Sequence, residues 1–334
     1  MKAVGFKAPS PIDVPESLID LDLPQPVPTG RDLLVAVRAV SVNPVDTKVR
    51  ASRKPVEGQA EVIGWDAAGV VEAVGPEATL FKVGDPVFYA GAIDRPGSNA
   101  QFQLVDERIV GRKPASLSFA EAAALPLTAI TAWELLFDRL GATTDSTGAL
   151  LVVGGAGGVG SILIQLARQL TGLTVIATAS RPETRDWCLA LGAHHVVDHA
   201  GDLVSAVKAT GAGPVGLVAS LTNTTDHFPA LVEILAPQGR LGVIDDPKSL
   251  DALPLKWKSI SLHWEMMFAR SLYQTPDMIE QHRLLDAVAD LVDAGRLKTT
   301  LTQVLTPINA ANLKTAHAAV ESGRTRGKIV LEGF

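Results

Sequence analysis

Cysteine is almost missing from this chain of 334 residues. Cys188 stands alone, so no intrachain disulfide can form and a reducing, cytoplasmic compartment is the expectation. All seven histidines lie at position 194 or beyond, so the first 187 residues hold neither His nor Cys and lack the ligand types from which zinc sites are usually built. Tyrosine is scarce as well: with only Tyr89 and Tyr273, a tyrosine proton donor has few candidates. There is no excess of positive charge, the formal net charge being −6, which removes any general electrostatic reason to bind nucleic acid or an anionic membrane. The N-terminus "MKAVGFKAPSPIDVP" carries no signal-type apolar core, and the apolar stretches are broken by Gly, Pro or a charge before the ~20 residues that span a bilayer. A small-molecule ligand is therefore expected.

What is present is enough apolar residue, 47%, for two well-packed domains. The first ~125 residues alternate short apolar runs with Pro and Gly, as in "DLLVAVRAVSVN", "EVIGWDAAGVVEAVG" and "GDPVFYAG", which predicts a mostly β domain such as a partly closed barrel. From about residue 127, apolar strands alternate with amphipathic helices: "GALLVVGG", "GVGSILIQLARQL", "LTVIATAS", "PETRDWCLALG" and so on to "GRLGVIDD". That pattern predicts a doubly wound parallel sheet with helices on both faces. Beyond residue 265 a helix, strand, helix and last strand form a tail that either extends this sheet or returns to the first domain.

In "LLVVGGAGGVGSILIQ", Gly155, Gly157 and Gly160 satisfy G-x-G-x-x-G between a strand and a helix, where they permit a tight turn and close approach of the backbone to a pyrophosphate. The backbone of Gly158 and Val159 belongs to the same cradle, at the helix N-terminus that attracts an anion. NAD sites carry an acid at the end of the next strand; here "ATASRPETR" offers Ser180 and Arg181, which can bind a 2′-phosphate that a carboxylate would repel. NADPH is the expected cofactor. Ser220, Leu221, Val243 and Ile244 end later strands, where they would flank the nicotinamide.

With "SVNPVDTKVR", "GWDAAGVVEAVG", "LPLTAITAWE", "GGAGGVG" and "GKIVL" in this order and spacing, the chain resembles the medium-chain dehydrogenase/reductase superfamily, closest to its zinc-free, quinone oxidoreductase-like branch. The resemblance implies an α/β architecture: a GroES-like β-barrel catalytic domain (1–126 and 265–334), a Rossmann NADPH-binding domain (127–264), and a homodimer formed by pairing of the Rossmann sheets. Zinc alcohol dehydrogenases of that superfamily place a catalytic Cys after the "NPxD" segment and a His-Glu pair after a Gly. This chain has Thr47 and Trp65-Asp66 there, so no metal is expected.

The resemblance places Asn43 beside nicotinamide and substrate, Thr128 on the nicotinamide side, and Lys48 where many relatives carry tyrosine. Lys48 then either stabilises a developing enolate or quinol oxygen or is a surface lysine on a short helix. Tyr89 either brings a hydroxyl to the substrate or simply packs; Asp46 caps the helix or pairs with Arg50. Asp66 is expected to pair with Lys328 beside the cofactor, and Trp65 to wall the pocket. The "HHVVDH" cluster is not a metal site, since His194 and His195 point to opposite faces of a strand. The function these readings favour is NADPH-dependent reduction of a quinone or an α,β-unsaturated carbonyl. An NADPH-binding protein with a sensor or structural role stays open, and a zinc-dependent alcohol dehydrogenase is disfavoured.

Overall fold

The computed structural model describes residues 1–334. Its first strands are β1 (Lys2–Phe6), β2 (Ile19–Asp22), β3 (Asp32–Ser41), β4 (Glu61–Val62), β5 (Ala67–Val74), β6 (Pro86–Tyr89), β7 (Phe102–Asp106) and β8 (Val110–Arg112), with helix α1 (Pro44–Ser52) between β3 and β4. Helices α2 (Phe119–Ala123) and α3 (Pro126–Trp133) lead into β9 (Ala149–Val153), α4 (Gly158–Leu170), β10 (Thr174–Thr178), α5 (Pro182–Ala190), β11 (His195–Val197), α6 (Leu203–Ala209), β12 (Val215–Ser220), α7 (Thr224–Ile234), β13 (Leu235–Val243) and β14 (Ser261–Trp264). The tail adds α8 (Ala269–Leu272), α9 (Glu280–Asp293), β15 (Leu301–Leu305), α10 (Ala310–Glu321) and β16 (Lys328–Glu332).

Two compact units result: Met1–Leu127 with Phe268–Phe334, and Thr128–Met267. The first is built on β3, whose Val- and Ala-rich ten residues are buried along most of their length because neighbours cover them on both sides. Its seven-stranded sheet runs β15-β16-β3-β5-β6-β8, with β7 also on β3, and a second sheet runs β2-β1-β4. The tail therefore returns to the first unit. Antiparallel pairing of β16 with the end of β3, Val330 opposite Ser41, sets Lys328 beside Val42.

The second unit is a parallel sheet in the order β11-β10-β9-β12-β13-β14. Central β9, "ALLVV", is buried at every position, as a strand covered on both faces must be. The chain goes first to one side of β9 and then to the other, so the strand order reverses at its carboxyl end, the place where such sheets bind ligands.

One element differs from expectation: "SLHW", for which the sequence pattern gives no strand, is the edge strand β14. The helical run Phe119–Arg139 is long and apolar enough by length and composition to cross a bilayer, though Glu121, Pro126 and Glu134 interrupt it as expected, and 83% of its most apolar window is buried inside the protein. Its Ala and Thr residues are small enough to pack closely all round, which makes it a core helix by burial.

Candidate active site and phosphate cradle

The first unit gathers a sealed polar network around the N-terminus of α1. Pro44 starts this helix, and Asn43 precedes it in extended conformation. The Asn43 backbone N–H donates to Asp46 Oδ2 at 2.5 Å, so Asp46 does cap the helix. Arg50, the other partner considered for Asp46, turns its guanidinium to the Ser10 carbonyl and to Glu321. The Asn43 side chain is thereby left for tertiary contacts: Nδ2 donates to Asp66 Oδ2 at 2.7 Å and to the Trp65 carbonyl at 3.2 Å, while Oδ1 accepts from Lys328 Nζ.

Lys328 Nζ also donates to Asp66 Oδ2 and to the Val42 carbonyl, both at 3.0 Å. The expected Asp66–Lys328 pair is thus present, and the three ammonium hydrogens all have acceptors within the chain. Asp66 Oδ1 accepts from the Leu127 N–H at 2.7 Å, which caps the N-terminus of α3 from a distant part of the sequence. Burial pushes the Asp66 carboxyl upward, against the pull of Lys328, Asn43 and Leu127 on its charged form.

Around this network the other candidates separate. Asn43, not Thr47, is the side chain set against Trp65-Asp66; the Thr47 hydroxyl turns back to the Pro44 carbonyl at 2.9 Å. Sequence spacing could not show this, because the N-cap residue and the helical residues after it face different ways. Trp65 is 0% exposed: its indole donates to the Ala92 carbonyl at 3.1 Å, its ring meets Phe268 edge-on at 6.1 Å, and Arg53 lies 5.8 Å from its centroid. Within this unit it is core, with no face left to wall an open pocket. Lys48 is exposed on α1. Tyr89 is fully buried on β6, its hydroxyl without a partner in the chain, and burial drives the phenol strongly toward its neutral form.

The glycine turn expected to cradle a phosphate belongs to the second unit. A Cβ added at Gly160 would lie 2.4 Å from the Gly154 carbonyl oxygen, and one at Gly155 would lie 2.8 Å from Ala177 Cβ, so these two glycines serve packing of the turn and of α4 against its strand. A Cβ at Gly157 would meet only the Gly154 oxygen, at 3.5 Å, so this glycine leaves space over the helix N-terminus. The first-turn N–H groups, at Gly158, Val159 and Gly160, have no acceptor earlier in the helix. A dinucleotide pyrophosphate fits that arrangement. Ser180 is exposed after β10, and the half-exposed Arg181 stands at the N-terminus of α5, 3.4 Å from Glu183.

Thr128 is buried in α3, Ser220 and Val243 are buried at their strand ends, and Leu221 and Ile244 are half-buried just beyond. The Ser220 hydroxyl is bonded to that of Thr224, whose N–H and hydroxyl both bond Asp245, a brace at the carboxyl edge that sequence reasoning missed. In "HHVVDH", His194 Nδ1 accepts from the Val175 N–H at 2.9 Å and its Nε2 meets Arg168, which is a structural role. No three His, Cys, Asp or Glu side chains converge anywhere in a group that could hold a metal ion.

Comparison with known proteins agrees with this layout. Residues 29–131 match the model of the alcohol dehydrogenase GroES-like domain, and residues 191–331 that of the zinc-binding dehydrogenase family. A zinc-type alcohol dehydrogenase-like protein of Staphylococcus aureus is 41% identical over 99% of both chains. A solved Rhizobium etli structure assigned as a zinc-dependent alcohol dehydrogenase shares 60% identity, covers 100% of this chain and 98% of its own, and superposes with a TM-score of 0.96. A mycobacterial protein complexed with NADPH shares 29% identity over 99% of this chain and 100% of its own, with a TM-score of 0.84. The quinone oxidoreductase of Coxiella burnetii shares 26% over 100% and 99%, with a TM-score of 0.81.

Proposed function

Because this chain belongs to the medium-chain dehydrogenase/reductase superfamily, among its zinc-type alcohol dehydrogenase-like proteins, and is therefore an oxidoreductase, we propose that it is a zinc-independent, NADPH-dependent reductase of quinones or α,β-unsaturated carbonyls. The observation that carries the proposal is the Asn43–Asp66–Lys328 network: an ammonium group neutralises the buried carboxylate, and Trp65 fills the neighbouring volume. A simple alcohol needs a Lewis acid to stabilise its alkoxide. A conjugated acceptor spreads the developing negative charge over its π-system, so ordinary hydrogen-bond donors suffice.

Bound NADPH supplies the hydride. The cradle at Gly155, Gly157 and Gly160 receives its pyrophosphate, and Ser180 with Arg181 receives the 2′-phosphate. Asn43 orients the reacting groups, its amide held between Lys328 and Asp66. Lys48 and Tyr89 are the candidate donors to the oxygen that gains charge. Tyr89 is supported by its unpartnered hydroxyl, which is costly to bury unless a ligand completes it.

Binding without turnover is the second reading, favoured by the fact that all three Lys328 N–H bonds are already engaged. A panel of quinones, enals and enones, followed by loss of NADPH absorbance, decides between them. The reductase reading expects turnover with at least one member and discrimination against NADH; bound NADPH with no turnover on any acceptor would reject it. The proposal includes a homodimer formed through β14, one of the two edges of the parallel sheet, where Trp264 is 51% exposed and Met266, just beyond it, 48%.

A further inference from the structure

Three ionisable side chains are sealed together beneath α1. Asp46 is 1% exposed, Asp66 0% and Lys328 3%. Were both acids ionised, two negative charges would face one positive charge in a site closed to water, and an uncompensated buried charge is expensive enough that a group protonates instead. The hydrogen bonding sets the two acids apart. Both Asp66 oxygens are saturated by donors, from the Leu127 N–H, Asn43 Nδ2 and Lys328 Nζ. Asp46 Oδ2 accepts from the Asn43 N–H, whereas Asp46 Oδ1 is buried with no hydrogen-bond partner, and the Trp65 N–H is the other donor that acts on this carboxyl.

No other charge takes over this role. Arg50, one turn further along α1, is engaged by Ser10 and Glu321, and it is the charge that acts on His317 of α10. Lys48 on the same helix is exposed. Asp66, before β5, and Lys328, on β16, are the charged groups that act on Asp46 from outside its helix.

We propose that Asp46 is a positioning residue that carries a proton in mildly acidic solution, leaving Lys328 to Asp66 and Asn43, and that losing this proton as the pH passes neutrality makes Asp46 compete for Lys328 and disturbs the Asn43 amide. Burial, with Asp66 adding to it, pushes the Asp46 carboxyl up to about 7, against the Asn43 N–H and Lys328. The acid's folded value lies above its unfolded one, so its contribution to stability is complete at low pH and is lost as pH rises through about 7. The kinetic consequence rests on the reductase reading; the titration does not.

The test follows the Asn43 backbone amide by NMR in the full-length protein between pH 5 and 9, because that N–H donates to Asp46 and reports its charge in the wild type. In parallel, kcat/KM for an accepted quinone or enone is measured against pH for wild type and Asp46→Asn, which is permanently neutral and of nearly the same shape. The expected results are a shift of the Asn43 signal centred near pH 7, a wild-type kcat/KM that falls by about tenfold per unit above it, and a flat profile for Asp46→Asn. An Asn43 signal that titrates only below pH 5, or an Asp46→Asn profile with the wild-type fall intact, overturns the proposal. Titration at Asn43 together with no turnover on any acceptor supports the proton assignment and rejects the reductase.

Discussion

Asp66 is a fully buried carboxyl, and Lys328 is the cation paired with it. Replacing one partner of such a pair leaves the other unpaired, so Lys328→Met should lower stability by about 3–5 kcal/mol in a urea titration, and adding Asp66→Leu should restore part of the loss. If Lys328→Met unfolds at the wild-type urea concentration, the pair is not the tie the geometry makes it. Tyr89→Phe provides the opposite test. Deleting a buried hydroxyl that has no partner should leave stability equal or up by about 1–3 kcal/mol, whereas kcat/KM should fall if the hydroxyl serves a ligand. Unchanged kcat/KM would assign Tyr89 to packing alone. The Asp66–Lys328 pair was legible in the sequence because the two motifs that carry it keep their order and spacing. Its third member was only half legible: Asn43 was a candidate, but its bond to Asp66 depends on how α1 is set against β5, and no local pattern encodes that.

The strand-turn-helix from β9 to α4 was the most legible element. An all-apolar strand, a glycine turn and a helical apolar stripe agree on one structure, and the helix was expected from Gly158, where it begins. Its glycines separate by role. Gly157→Ala should fold normally yet weaken NADPH binding, because its added methyl enters the space over the helix N-terminus, whereas Gly160→Ala should lower stability through its clash with the Gly154 carbonyl. Equal NADPH affinity in Gly157→Ala, measured by calorimetry, would contradict the cradle assignment. Arg181→Ala should weaken NADPH by about 10- to 100-fold, the loss of a charge-assisted bond, and leave NADH nearly unchanged. By contrast, β14 was illegible: four residues alternating polar and apolar, with no glycine or proline directly on either side, match a strand only once β13 is present to pair with them.

The residue after β14 adds a pH dependence. Glu265 is buried beside Glu134, and burial together with that neighbour pushes its carboxyl up to about 9, while Arg139, 2.8 Å away, opposes the shift. A raised acid stabilises the fold at low pH and loses that contribution as pH rises from the ordinary carboxyl range to about 9, so the melting temperature should decline from about pH 5 to about pH 9 in wild type and more shallowly in Glu265→Gln.

For the molecule as a whole, the division into a β-rich unit completed by the chain's tail and a parallel α/β unit follows from the change in hydrophobic periodicity near residue 127. The return of the tail had no such local signal, because β16 could pair equally well with either sheet on pattern alone; the family resemblance implied the return, and the β3–β16 register shows it. On the proposed function, the site built on the Asn43–Asp66–Lys328 network works without zinc. The most direct test of this measures kcat/KM for NADPH and the best quinone or enone acceptor before and after exhaustive chelation, with zinc per chain determined on the same samples. Zinc far below one per chain and an unchanged kcat/KM are expected. Stoichiometric zinc, with activity lost on its removal and regained on its return, would contradict it.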